Sequence, residues 1–363
     1  MKSVRGRRPS KEGNEPGIEP DVGRVDAGGE LILAAGFTEA GFPYGLSVDE
    51  YRDANFRADS GAGWARAKRA IDRVCSSALG RAVEVGFVKR LGTGLSRDAY
   101  RATINEGRQP LDVYALVPNR FAEPDYDRRA VFELKLLAAL GKRELGIRVP
   151  KVLGALRDEG GVILVEELLE GLPLDLVSDR QVTFKPWQAI GEIATEIHAL
   201  PVAELPRALL EARDCRNHGE AALATLSGDH ALLRLAREWM SAHLPPPEPG
   251  VLLHGDLLGQ NIHLGFDAPP GVLDWERAEV GDPAYDLAVV TRGARRPFKR
   301  DGGLKLLLDA YAAAGGRPLP PSRVHFFELF ILTSQLERAV EEGRDVQGAE
   351  ERLRGVLKRI GVG

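Results

Sequence analysis

A chain of 363 residues, 44% apolar and 28% charged, has material for more than one typical domain and for a sizeable core. Its formal net charge of −4 supplies no basic field for nucleic acid, and two cysteines, Cys75 and Cys215, are too few for a disulfide framework or a zinc site. The basic start (Lys2, Arg5, Arg7, Arg8, Lys11) leads into no apolar run, and no stretch reaches membrane-spanning length, so the expectation is a cytoplasmic protein without membrane or nucleic-acid partners.

Residues 1–30 are rich in Gly, Pro and charge and are expected to be a disordered tail. Residues 31–80 are expected to be a helical extension: weak helices near 30–35 and 48–56, then a firm one over 64–79 stopped by Gly80. From 81 to 168 the pattern changes to short strands over 83–91, 98–104, 112–117, 152–157 and 161–168, with a helix over 127–140 after the third. That order predicts a small five-stranded antiparallel lobe.

From 169 to 363 the chain reads as mainly helical, with Trp187, Ile190, Ile193, Ile197 and Leu200 at helical spacing. Further helices are predicted over 230–243, 285–292, 304–314, 324–341 and 349–360. A short strand over 251–253 and a hairpin, 261–266 with 271–275, interrupt them. The fold class is α+β, in two lobes.

The chemistry concentrates on that strand and hairpin. Val251-Leu252-Leu253 runs into a polar loop, His254-Gly255-Asp256-Leu257, with Asn261 five residues after Asp256. The second arm of the hairpin ends in Leu273-Asp274-Trp275-Glu276. An Asp and an Asn on one loop, with a second Asp on a neighbouring strand end, form a hard-oxygen set that suits Mg²⁺. Phosphoryl transfer needs such a set, because its loose, highly charged transition state is stabilised by positioning and charge neutralisation. One Asp in a loop is more often a turn former, so only the three residues together carry the reading. Asp282, before Pro283, reads as a turn residue and Asp286 as a helix cap. His254 is expected to orient the loop, and His198, at a helix end, to be packed.

With Gly281-Asp282-Pro283-Ala284-Tyr285-Asp286 following in order, the sequence resembles the aminoglycoside phosphotransferase family of small-molecule kinases, which includes macrolide kinases. The resemblance covers about residues 83–345 and is closest over 251–290. It implies a bilobal protein-kinase-like fold, ATP (or GTP) and Mg²⁺ in the cleft, and transfer of the γ-phosphoryl group to a hydroxyl of a small molecule. By the resemblance Asp256 is the catalytic base, Asn261 and Asp274 hold Mg²⁺, and Asp282 and Asp286 are supporting residues that hold the loops. Gly92, Thr93, Gly94, Leu95 and Ser96 form the phosphate loop, and Glu166, Glu167 and Leu168 form the hinge that meets the base of the nucleotide. Nothing in the pattern names the acceptor or an oligomeric state.

Two departures stand out. The glycine turn lacks its third glycine, whose place Arg97 takes. In the third strand, Leu116 stands where these kinases carry the lysine that pairs ATP phosphates with a helix glutamate, here Glu133. Three readings follow: another cation (Arg97, Arg120 or Lys89) serves instead; the strand register is shifted; or the chain is a pseudokinase, a ligand-binding or scaffold protein without efficient transfer. The intact Asp256, Asn261 and Asp274 favour an active enzyme.

Overall fold

A computed structural model describes residues 24–27, 30–37, 43–47, 62–93, 96–106, 109–176, 185–205, 218–226, 230–265, 267–292, 297–343 and 346–362. Near the N-terminus, β1 (Arg24–Ala27), β2 (Glu30–Phe37) and β3 (Pro43–Ser47) form a three-stranded antiparallel sheet. This corrects two expectations, a helix near 30–35 and a disordered tail reaching residue 30. The apolar run 31–35 is too short for its periodicity to tell strand from helix, and pairing to β1 and β3 decides it. Residues 1–23 and the helix expected over 48–56 lie outside the described residues.

The first lobe is an antiparallel sheet of β4 (Glu84–Val85), β5 (Lys89–Thr93), β6 (Arg97–Glu106), β7 (Gln109–Pro118), β8 (Val152–Asp158) and β9 (Gly161–Glu167). Its order is β4-β6-β7-β9-β8, with β5 also on β6. The five expected strands are present, the first split at 86–88 into β4 and β5. Gly86 sits at the split and its N–H bonds the Thr103 carbonyl at 2.9 Å, where a Cβ would also fall 2.9 Å from that oxygen.

Strand alternation gives the sheet two faces. One carries Ala102, Ile104, Val113, Ala115, Val117, Ile163 and Val165, packed on Ala67, Ala70, Ile71, Val74 and Cys75 of helix α1 (Ala62–Leu79). Fully burying a residue such as Ile71 contributes about 2 kcal/mol. Arg66 clamps α1 to Asp158 through two 2.8 Å bonds. The expected extension over 31–80 is therefore corrected at both ends: it begins in strands, and its helix is part of this lobe's core. The other face carries Leu116, Val162 and Leu164 against Tyr126 and Ala130 of α2 (Tyr126–Leu140). By register, Arg97, Ala99, Tyr114 and Glu166 share this second face.

The second lobe packs α3 (Pro186–His198), α4 (His218–Thr225), α5 (Ala231–Ala242), α6 (Ala284–Thr291), α7 (Gly303–Ala313), α8 (Pro321–Glu342) and α9 (Val346–Arg359) around one apolar core. Against them lie two small antiparallel sheets. One joins β10 (Leu172–Pro173), β12 (Ile262–Leu264) and β13 (Gly271–Val272); the other joins β11 (Val251–Leu253) and β14 (Glu279–Gly281). Helix α4 and strand β14 have no counterpart among the predicted elements. No helix among the described residues is long and apolar enough to cross a membrane.

Candidate active site

Buried β11 feeds the loop from His254, and Asp286 on α6 fixes that loop from below. Asp286 is fully buried and accepts the backbone N–H groups of His254 and Gly255, each at 2.8 Å. His198 Nε2 lies 3.2 Å from the same carboxylate, and His198 Nδ1 lies 2.9 Å from the Tyr311 hydroxyl. Burial pushes the Asp286 carboxyl up, but His198 and the loop N–H groups outweigh it and hold it below the usual carboxylate value. Asp286 is thus a loop anchor, the supporting role the resemblance implies, and not the helix cap its sequence position also allowed. Asp282 does the capping: it accepts the Ala284 N–H at 2.9 Å and takes Arg323 Nε at 2.6 Å.

His254 holds the loop, as expected. Its Nδ1 accepts the Asp256 N–H at 3.2 Å, so the ring proton sits on Nε2 and is donated to the Leu273 carbonyl at 2.8 Å. The bond ties this loop to the strand end that carries Asp274. Gly255 has a φ of +80°, and a Cβ there would lie 2.1 Å from the Arg277 carbonyl oxygen.

A 3₁₀ turn over Gly259–Asn261 brings the Asn261 side chain back onto Asp256. Asn261 Nδ2 donates to the Asp256 carbonyl at 2.9 Å and to its Oδ2 at 3.1 Å. That fixes the amide orientation and leaves Asn261 Oδ1 as a ligand oxygen. Asp274 is partly exposed at φ +64°, a left-handed position an aspartate tolerates, ahead of fully buried Trp275. Asn261 Oδ1 and the Asp274 carboxylate fit Mg²⁺, which takes few protein oxygens and completes its shell with water and phosphates.

The first lobe contributes a buried ion network. Arg97, at the start of β6, donates from Nη1 to Glu133 Oε2 at 2.6 Å and from Nη2 to Glu133 Oε1 at 3.1 Å. Nη2 also reaches Asp274 Oδ1, and Nε stands 3.8 Å from Glu276. The Trp275 N–H donates to Glu133 at 3.1 Å. Burial disfavours the Arg97 charge, but Glu133 and then Asp274 raise its pKa well above the ordinary arginine value. Burial pushes Glu133 up while Arg97 pulls it down. Of the three cations considered from the sequence, Arg97 therefore meets Glu133. Lys89 is exposed, and Arg120 lies over the Phe121 ring.

The residues expected to meet the nucleotide are placed as follows. Gly92 and Thr93 lie in β5, paired with Ala99 and Asp98, and a Cβ on Gly92 would meet nothing within 4 Å. Gly94 and Leu95 lie outside the described residues. Ser96 is buried and its hydroxyl bonds Glu276, at 2.7 and 3.0 Å, so in this state it does not face a phosphate site. In the hinge, the Glu167 N–H donates to the Lys151 carbonyl at 2.9 Å and the Leu168 N–H to the Asp112 carbonyl at 3.0 Å. Both donors are used inside the lobe, and the first backbone N–H beyond them is that of Leu169. The Glu166 side chain is buried on the same sheet face as Arg97, and its Oε2 has no hydrogen-bond partner among the described residues. Burial, with the Glu133 charge adding, pushes its carboxyl up to about 8.

A curled antiparallel lobe over a helical lobe, with a bolted Asp–Asn loop between them, defines a protein-kinase-like fold. The chain belongs to the phosphotransferase enzyme family, whose sequence pattern matches residues 88–325. It is 29% identical over 170 residues to viomycin phosphotransferase of Streptomyces vinaceus, a match covering 43% of this chain and 59% of that protein. It is 31% identical over 164 residues to an aminoglycoside 3'-phosphotransferase of Streptomyces fradiae, covering 40% and 59%. The chain thus spans about three-fifths of these curated relatives. Among solved structures it resembles macrolide 2'-phosphotransferase MphH from Brachybacterium faecium, with TM-score 0.53 and 23% identity over 79% of this chain and 96% of that one. It also resembles a thermostable mutant of aminoglycoside phosphotransferase APH(4)-Ia in complex with ADP and hygromycin B, with TM-score 0.57 and 18% identity over 81% and 99%.

Proposed function

We propose that this protein is a Mg²⁺-dependent phosphotransferase that moves the γ-phosphoryl group of ATP (or GTP) to a hydroxyl of a small molecule, an antibiotic or a metabolite. The observation that carries the reading is the Asp256–Asn261 pair on a loop fixed by Asp286. Asn261 holds one Asp256 oxygen and leaves Oδ1 to accept the proton of the attacking hydroxyl. The acceptor oxygen forms the new bond to phosphorus, the bond to the β–γ bridging oxygen breaks, and the nucleoside diphosphate leaves. Mg²⁺, held by Asn261 Oδ1 and Asp274, would neutralise phosphate charge during transfer. A nucleotide donor suits a cytoplasmic setting. Family membership and the curated phosphotransferase relatives support this reading.

The test is turnover of purified protein with Mg²⁺ and ATP or GTP across a panel of hydroxylated acceptors that includes aminoglycosides, a macrolide, sugars and amino alcohols. Asp256→Ala is expected to lower kcat about 10²- to 10⁴-fold. No acceptor turning over faster with the native chain than with that variant would sink the reading.

A further inference from the structure

Position 116 has been given over to the core. Leu116 pairs across the strands with Ala99 and Leu164 and packs on Tyr126 and Ala130, so no cation projects from β7 toward Glu133. Arg97 pairs with Pro118, two residues beyond Leu116. In an antiparallel ladder that places Arg97 on the same face as Leu116, one pleat along the neighbouring strand. An arginine is long enough to close that gap, and its fork suits a carboxylate bidentately.

We propose that Arg97 is the nucleotide's phosphate anchor in this chain, the cation having moved from the third strand of the lobe to the second, with Glu133 as its orienting partner. The inference rests on the phosphotransferase reading and assigns it a residue. Three features argue for a ligand role beyond a structural ion pair. Arg97 opens β6, next to Asp98, which pairs with Thr93 at the end of β5. It touches Asp274, the residue proposed to hold the metal, so anchor and metal ligand share one point. And three carboxylates, Glu133, Asp274 and Glu276, surround one guanidinium, which secures its charge when Asp274 turns to the metal.

The test is calorimetric binding of Mg-ATP and of adenosine to folded variants, checked by circular dichroism. R97M is expected to weaken Mg-ATP binding about 10- to 100-fold, the worth of one or two charge-assisted hydrogen bonds, and to leave adenosine binding unchanged. R97K, which keeps the charge but not the fork, is expected to lose about tenfold or less. The double variant R97M/L116K returns a cation to the third strand and is expected to regain part of the lost affinity. If R97M binds Mg-ATP as the native chain does, or loses adenosine equally, the assignment falls while the phosphotransferase reading stands. If the native chain binds no nucleotide, both fall.

Discussion

Arg97 and Glu133 meet through two hydrogen bonds, at 2.6 and 3.1 Å, one residue from the edge of the glycine turn and the other from the middle of α2. Glu133 also takes the Trp275 N–H from the other lobe. One carboxylate therefore fixes the cation of the first lobe and the metal-side strand end of the second. Glu133→Ala would take the bidentate partner from a buried guanidinium, leaving it Asp274 and Glu276, and would strand the buried Trp275 N–H. A loss of about 3–5 kcal/mol is expected, read as a lowered midpoint in chemical denaturation. A loss below about 1 kcal/mol would show that the pair contributes little to stability.

Asp286 is expected to matter more for the catalytic loop than its distance from the reacting atoms suggests. Asp286→Ala leaves the His254 and Gly255 N–H groups buried without acceptors, at about 1–3 kcal/mol each. Asp286→Asn keeps one acceptor oxygen and is expected to be milder in stability. Its NH₂ must face one of these N–H groups, donor against donor, or His198, so its kcat is expected to fall more than its nucleotide KM rises. Steady-state kinetics on the folded Asn variant separates the two.

Two glycines with similar backbone angles should respond very differently to a methyl group. Gly255 (φ +80°) would place a Cβ 2.1 Å from a backbone carbonyl, whereas Gly302 (φ +71°) faces open space. Gly302→Ala is expected to cost only the left-handed strain, about 1–2 kcal/mol. Gly255→Ala adds a clash that only movement of the catalytic loop relieves, so it should cost more and abolish turnover. Equal thermal shifts for the two variants would contradict the close approach of the loop to residue 277.

Glu166 should impose a pH dependence on stability. Its folded pKa, pushed up to about 8, exceeds that of an unfolded glutamate, so folding favours the protonated form. The stability linked to that proton is fully present below about pH 4 and falls as pH rises, levelling off above about pH 8, at about 1.4 kcal/mol per pH unit between. Glu166→Gln mimics the neutral carboxyl. Relative to the native chain it should gain stability steadily from pH 5 to about pH 8 and no further above that. Parallel pH–stability curves for the two proteins would show that Glu166 does not titrate in this range.

The catalytic loop was legible in the sequence because its decisive bonds are local. Asn261 reaches Asp256 across five residues, and the turn residues that permit this sit between them. The five-stranded lobe and most helices were legible for the same reason, since strand alternation and helical spacing are short-range patterns. The strand over Glu30–Phe37 was not, because its few apolar residues carry no decisive period.

What only the tertiary structure decided involves partners far apart along the chain. Leu116 marked a missing cation, yet three candidates remained equal until β6 and β7 were in register and Arg97 stood beside Glu133, 36 residues away. Ser96 read as part of a phosphate loop, and folding sets its hydroxyl on Glu276, 180 residues on. The hinge N–H groups of Glu167 and Leu168 looked open until the Lys151 and Asp112 carbonyls took them. In each case residue type set which bonds a side chain or backbone group can make, and long-range packing chose which of them it made. Short-range pattern therefore reached the Asp256–Asn261 loop, and long-range packing decided what anchors it.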